Sequence, residues 1–345
     1  MLYFHNDYNE MCHPRVWERM QALQGQSVNG YGVDPCCQQA ADQIRTLCGN
    51  ADLAVHFLVG GTQTNLTVIA AALRPHQAVL TVTDGHINVH ETGSIEATGH
   101  KVVALPSADG KITAEQVAAM GKAQLENGDR EHMVQVKMVY ISNPTELGTL
   151  YSLGELEAIS AVCRQYGFYL FLDGARLGYG LTANGNDVTL EDLARLCHVF
   201  YIGGTKCGAM FGEAVVISDP AIAEDFRYII KQRGGMLAKG FLLGAQFDAL
   251  MTDGLYFEIT GRANAQADRI RATLAERNVP LLVPGVTNQV FPILPDAVLA
   301  ELGKEFTFAE IQRWDETHRV VRFCTSWATT DENVDALCNA LRKSL

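Results

Sequence analysis

Two periodicities alternate through most of this 345-residue chain, and that alternation constrains its fold more than any other feature. Short β-rich runs stand at Ala54–Val59, Ala78–Thr83, Lys101–Leu105, Val136–Ser142, Phe168–Leu172, His198–Ile202 and Glu213–Ile217. Helical patterns lie between several of them, as at Thr62–Leu73 and Leu153–Tyr166. Runs this apolar must be covered on both faces, and amphipathic helices between them supply the cover. The pattern predicts an α/β fold, with a mainly parallel seven-stranded sheet and helices on both faces.

Polar or glycine-rich turns follow the strand ends: Gly60-Gly61-Thr62, Asp84-Gly85-His86, Asn143-Pro144-Thr145, Asp173-Gly174-Ala175-Arg176 and Gly203-Gly204-Thr205-Lys206. In open α/β sheets the ligand crevice lies outside the carboxyl ends of the strands. The unusual polar residues are therefore expected on one rim. After about residue 250 the pattern changes: a long helical stretch (Tyr256–Arg277), β-like runs at Thr287–Leu294 and Val320–Thr325, and a final helix with Asp331 as its expected N-cap. This divides the chain into a large domain over 15–250 and a small α+β domain over 251–345. The segment 1–14 is expected to return to the small domain or to the cleft.

The balance of 39 acidic against 27 basic residues, net −12, argues against a nucleic-acid footprint, which needs a basic stripe. No run of about 18 apolar residues is present to span a membrane, and the first residues lack a signal-peptide pattern. Nine cysteines form neither a CxxC pair nor a zinc-ligand set. They read as reduced thiols of a cytoplasmic protein, and no metal site is expected.

Four elements carry chemistry. Lys206 lies among glycines at a strand end, where close backbone approach points to a ligand. Taken alone, it reads more readily as a solvated loop lysine. Asp173 ends the strand run Phe168–Leu172, 33 residues before Lys206, and fits either a helix N-cap or a carboxylate facing the pyridine nitrogen of pyridoxal phosphate. Gly60-Gly61-Thr62 opens a helix, a natural phosphate site, yet matches neither GxGxxG nor a P-loop. His86, with His90 and Glu91 one turn on, equally fits a capped surface helix.

The order Gly61-Thr62, His86, Asp173-x-x-Arg176, Lys206 resembles the fold-type I pyridoxal-phosphate enzymes. More narrowly, it is similar to the threonine aldolase and β-eliminating lyase family. The likeness extends over nearly the whole chain: Asn6-Asp7-Tyr8 with His13-Pro14, Tyr31-Gly32-Val33-Asp34-Pro35, Leu172-Asp173-Gly174-Ala175-Arg176, and Arg322 in Val321-Arg322-Phe323. By that resemblance Lys206 holds pyridoxal 5'-phosphate as a Schiff base and Asp173 pairs with its ring nitrogen. His86 stacks on the ring, and Gly61 and Thr62 hold the phosphate. Arg176 contacts the cofactor's 3'-oxygen side or the substrate end, and Arg322 clamps the substrate carboxylate. His132 falls where the family has a second substrate-side histidine. Tyr31 reaches toward a neighbouring subunit's site, since these enzymes build sites at the interface of a homodimer or homotetramer.

Departures from the family ring the substrate side: Asn6 in place of a serine, His90 in place of an aromatic residue, and Pro144-Thr145 after Asn143. The implied reaction is aldol cleavage of an L-β-hydroxy-α-amino acid, such as L-threonine or L-allo-threonine, to glycine and an aldehyde. The base for the β-hydroxyl is left open among His86, His132 and a bound water. A phenylserine-type aldolase, another pyridoxal-phosphate lyase or transaminase, and a non-catalytic α/β binding module are the alternatives.

Overall fold

The computed structural model describes residues 1–345. Its strands are β1 (Leu2–Tyr3), β2 (Ala54–Leu58), β3 (Gln77–Val82), β4 (Lys101–Leu105), β5 (Gln135–Ser142), β6 (Tyr169–Asp173), β7 (Val199–Gly203), β8 (Glu213–Ile217), β9 (Gln289–Val290), β10 (Ile293–Pro295), β11 (Phe306–Thr307), β12 (Ala309–Arg313) and β13 (His318–Cys324). Seven of them form the main sheet in the order β2-β8-β7-β6-β5-β3-β4. Successive residues point to opposite faces. Leu170 and Leu172 thus enter one apolar core while Phe171 enters the other, and Val139 and Ile141 part from Met138 and Tyr140 in the same way.

The sheet is mixed rather than wholly parallel. Pairings β3·β4, β3·β5, β5·β6 and β6·β7 are parallel, whereas β8 runs antiparallel to both β7 and β2. The cause is the short link between β7 and β8, residues 204–212, too short for the crossover a parallel return requires. Lys206 therefore sits in a hairpin.

The C-terminal layer departs in detail from the sequence reading. The run 287–294 is split, with β9 and β10 separated by Phe291-Pro292. Strand β12, which no apolar run announced, pairs with β13. The final helix is capped by Thr330, whose side chain accepts from the Asn333 amide, and Asp331 is its first helical residue. At the other terminus, β1 pairs with β11 (Leu2↔Phe306, Tyr3↔Thr307), and Phe4 is buried in the core built around Ile270, Leu294 and Phe323. The chain then runs from Phe4 into the cleft between this layer and the main sheet. No helix is long and apolar enough to cross a membrane.

Candidate active site

A cavity of about 240 Å³ opens at the carboxyl ends of the parallel strands. Gly60, Gly61, Thr62, His86, Asp173, Arg176 and Lys206 all line it. With Pro144 and Thr145 also in the lining, five separate turns converge on one rim.

The β7–β8 hairpin presents the lysine. Gly204 and Thr205 amides donate to the Gly212 carbonyl (3.0 and 3.1 Å), and the Tyr179 hydroxyl donates to the Lys206 carbonyl (2.6 Å). The backbone is held while the Lys206 ammonium makes no hydrogen bond or ion pair of its own. Burial, and then the Arg176 charge, lower its pKa from the ordinary lysine range. Beside it, Glu213 opens β8 opposite Gly203. Its carboxylate accepts from the Gly204 amide (3.1 Å) and the Thr205 hydroxyl (3.0 Å), and burial pushes its pKa up to about 8.

Asp173 closes β6, registered with Ser142 of β5. Its Oδ1 accepts from the Ala175 amide (2.9 Å) and the Tyr201 hydroxyl, and its Oδ2 from Asn65 Nδ2 (3.1 Å) and the Tyr140 hydroxyl. Burial would raise this carboxyl, but the His86 charge and the two tyrosine hydroxyls outweigh it and hold the pKa below the usual value. Asp173 is therefore a buried group held in its ionised form at the cavity wall.

Gly61 begins the helix Gly61–Ala72, which no side chain caps, so its first amides are left to a ligand. A side chain at Gly60 would meet nothing within 4 Å, whereas one at Gly61 would meet the Tyr201 hydroxyl at 3.1 Å. His86 starts the next rim helix. Its Nδ1 pairs with Glu91 Oε1 at 2.7 Å, and Glu91 is itself held by Asn65 Nδ2 (2.7 Å) and the Ser94 hydroxyl (2.9 Å). A carboxylate there favours the tautomer with the proton on Nδ1.

Arg176 does not point a free guanidinium into the cavity. It donates from Nε and Nη2 to Asp7 (2.7 and 2.9 Å), a fork on a carboxylate that is wholly buried. Burial would raise the Asp7 pKa, yet Arg176 overrides it and lowers the value to about 2. Arg322, on β13, donates from Nη1 to Gln289 Oε1 and from Nη2 to the His5 carbonyl, each at 3.0 Å, while its buried Nε has no partner. His90 lies beside His86, ring centroids 5.5 Å apart and planes tilted by 53°. Its pKa is lowered by burial first, then by the charges of His86, Arg322 and Lys206.

Five expected site residues are absent from the lining of this cavity: His90 and Arg322, whose surroundings are given above, and His132, Tyr31 and Asn6. His132 lies in the exposed turn Arg130–His132 before β5, at the strand's opposite end from Ser142. Tyr31 is 47% exposed, has a left-handed φ of 60°, and lines a separate pocket with Arg227 and His56. Asn6 stands next to Asp7 but spends its Oδ1 on the Tyr8 amide (3.0 Å). Conversely, Glu146, Glu213, Tyr140, Tyr201, Asp7 and Asn288 belong to the site's hydrogen-bond network and were not singled out. The nine-residue link 204–212 was the available signal for Glu213, since a hairpin returns it beside Lys206. Glu146 follows directly on the flagged turn Asn143-Pro144-Thr145. No group of three or more His, Cys, Asp or Glu is placed to hold a metal ion.

A family model described as beta-eliminating lyase matches residues 12–297. The low specificity L-threonine aldolase of Pseudomonas sp. (strain NCIMB 10558) is 28% identical over 344 residues, covering 98% of this chain and 96% of that protein. The corresponding aldolase of Saccharomyces cerevisiae is 25% identical over 79% of this chain and 70% of its own length. Among solved structures, a threonine aldolase from Leishmania major matches with a TM-score of 0.97 at 45% identity over 99% of both chains. Aspartate aminotransferase from Thermus thermophilus, at 17% identity and a TM-score of 0.72 over 100% of this chain and 92% of its own, shares the fold. With the family model spanning most of its length and the Leishmania structure matching from end to end, this chain belongs to the β-eliminating lyase family of pyridoxal-phosphate-dependent enzymes, on its threonine aldolase side.

Proposed function

We propose that this enzyme cleaves L-β-hydroxy-α-amino acids by a retro-aldol reaction, taking L-threonine and L-allo-threonine to glycine and acetaldehyde. The observation that carries the reading is a half-buried lysine without a protein partner, sharing one cavity with a buried, ionised aspartate. Pyridoxal phosphate fits the residues present. Lys206 offers a free amine, Asp173 a fixed anion for a ring nitrogen, and the turn Gly60-Gly61-Thr62 an uncapped helix N-terminus opening on free space. Lys206, Asp173, Gly61, Thr62 and His86 would hold it, with Arg176 braced behind by Asp7. When bound, the cofactor supplies an electron sink for the pair released at the substrate Cα.

The chain's own residues do the rest. Tyr140, Tyr201, Asn65 and the Ala175 amide keep Asp173 oriented and charged. The unpartnered Nε of Arg322 supports its reading as the carboxylate clamp, because a buried donor without an acceptor is costly until an anion arrives. Burial and the Arg176 charge lower the pKa of Lys206 and so favour its neutral amine, the form able to take a proton. The division into 15–250 and 251–345 then assigns cofactor binding to the first part and the substrate-side arginine to the second.

A homodimer or homotetramer with shared sites is part of the same reading. Its support is Tyr31, an exposed aromatic in a left-handed conformation braced by Arg227 on its carbonyl (3.0 Å). Nine free, buried cysteines favour a reducing, cytoplasmic setting. The test of the activity is product analysis after incubation with L-threonine. Glycine and acetaldehyde in equal amounts are expected; a keto acid with ammonia, or no turnover, would overturn the assignment.

A further inference from the structure

Three carboxylates line the cavity, and their oxygens are not equally free. Both oxygens of Asp173 and both of Glu213 accept hydrogen bonds from the protein. Glu146 differs. Its Oε1 accepts from the His86 amide (2.9 Å) and the Ser142 hydroxyl (2.7 Å), so the carboxylate plane is fixed. Its Oε2 accepts nothing, and it is not among the polar atoms sealed without a partner, so it opens on the cavity that Glu146 lines. Of the histidines considered for the base, His132 is at the far end of β5, and His86, whose Nδ1 is paired with Glu91 and whose Nε2 stays free, is the ring that the family resemblance sets against the cofactor.

We propose that Glu146, through Oε2, is the group that accepts the β-hydroxyl proton of the substrate; the proposal rests on the aldolase reading above. In the step, the substrate O–H bond breaks and its proton passes to Oε2. The aldehyde C=O forms as the Cα–Cβ bond breaks, and that bond's electron pair stays with the amino-acid fragment. The fragment takes a proton at Cα from the Lys206 side, and the proton held by Glu146 returns through solvent to Lys206, leaving glycine, aldehyde and the starting enzyme.

The surroundings strengthen this carboxylate as a base. Burial raises the Glu146 carboxyl, the nearby Asp173 charge raises it further, and the Ser142 and His86 hydrogen bonds oppose both. Tyr140 and Tyr151 face it as neutral hydroxyls, each with its own pKa raised by burial. Lys206 and Arg176 share the cavity, the latter neutralised by Asp7. A carboxylate with a raised pKa is a competent base above that pKa, so cleavage should gain rate with rising pH on an acid limb owned by Glu146.

The experiment compares the pyridoxal-phosphate-loaded wild type with Glu146→Gln and Glu146→Ala, both checked for native circular dichroism and melting. In Glu146→Gln, L-threonine cleavage should fall by roughly 10²–10⁴-fold and the acid limb should vanish. Exchange of the glycine α-proton with deuterated solvent, which involves no β-hydroxyl, should stay near the wild-type rate. Binding supplies a readout independent of turnover: the wild type should hold L-serine at least about tenfold more tightly than L-alanine, and Glu146→Ala should lose that preference. Unchanged cleavage and pH profile in Glu146→Gln, or equal losses of cleavage and glycine exchange, would overturn the proposal. A wild type that exchanges glycine but cleaves no β-hydroxy amino acid would instead bring down the aldolase reading on which it rests.

Discussion

Asp7 holds its charge without contact with water, and that is affordable only because Arg176 grips both oxygens and Asn288 Nδ2 donates to one of them at 2.9 Å. Removing one partner of a buried ion pair leaves the other uncompensated, typically at about 3–5 kcal/mol. Asp7→Asn is therefore expected to destabilise the protein by about that amount, read as a lowered denaturation midpoint; an unchanged midpoint would show that the pair contributes nothing. The pH dependence has a definite sign. The Asp7 pKa is depressed in the folded state, so its contribution is complete above the ordinary carboxylate value of 3.8 and is lost as pH falls through about 2. At this scale the sequence showed residue types but not their commitments. Arg176 lines the cavity, yet its partner lies 169 positions away.

At the scale of elements, the β7–β8 hairpin combines two demands. It returns the chain antiparallel, and it buries a carboxyl, Glu213, against the backbone that carries Lys206. Because the Glu213 pKa is raised to about 8 in the fold from an ordinary 4.5, the folded protein binds a proton that the unfolded chain releases. Stability should therefore decline as pH rises between these values. Glu213→Gln should flatten that decline in denaturation curves recorded across this range; an unaltered slope would mean that another group owns it. Strands such as β3 and β8 were legible because burial on both faces leaves compact apolar runs. Strand β12 was not, since four of its five residues are exposed at a sheet edge and nothing in Ala309–Arg313 alternates with a buried face. The end of the 287–294 run was blurred in the same way by Pro292, which cannot donate to a ladder.

Over the whole molecule, the amino terminus ties the layers together. Leu2 and Tyr3 pair with residues some 300 positions downstream, Phe4 fills the C-terminal core, and Asp7 reaches the rim of the main sheet. No local pattern encodes a two-residue strand whose partner is so distant, so sequence reading placed this segment only by elimination. The convergence of Gly61, His86, Asp173 and Lys206 was legible because strand ends in an α/β sheet share one edge, a matter of topology rather than of side-chain detail. The central claim, that Lys206 is the residue that carries the cofactor, is tested most directly by the visible absorbance of purified wild type and Lys206→Ala, each saturated with pyridoxal phosphate and then freed of excess. The account predicts a visible band that persists in the wild type and is absent from the variant, whose far-ultraviolet circular dichroism stays native. A variant that keeps the wild-type band would contradict it, and Lys206 would revert to an ordinary loop lysine.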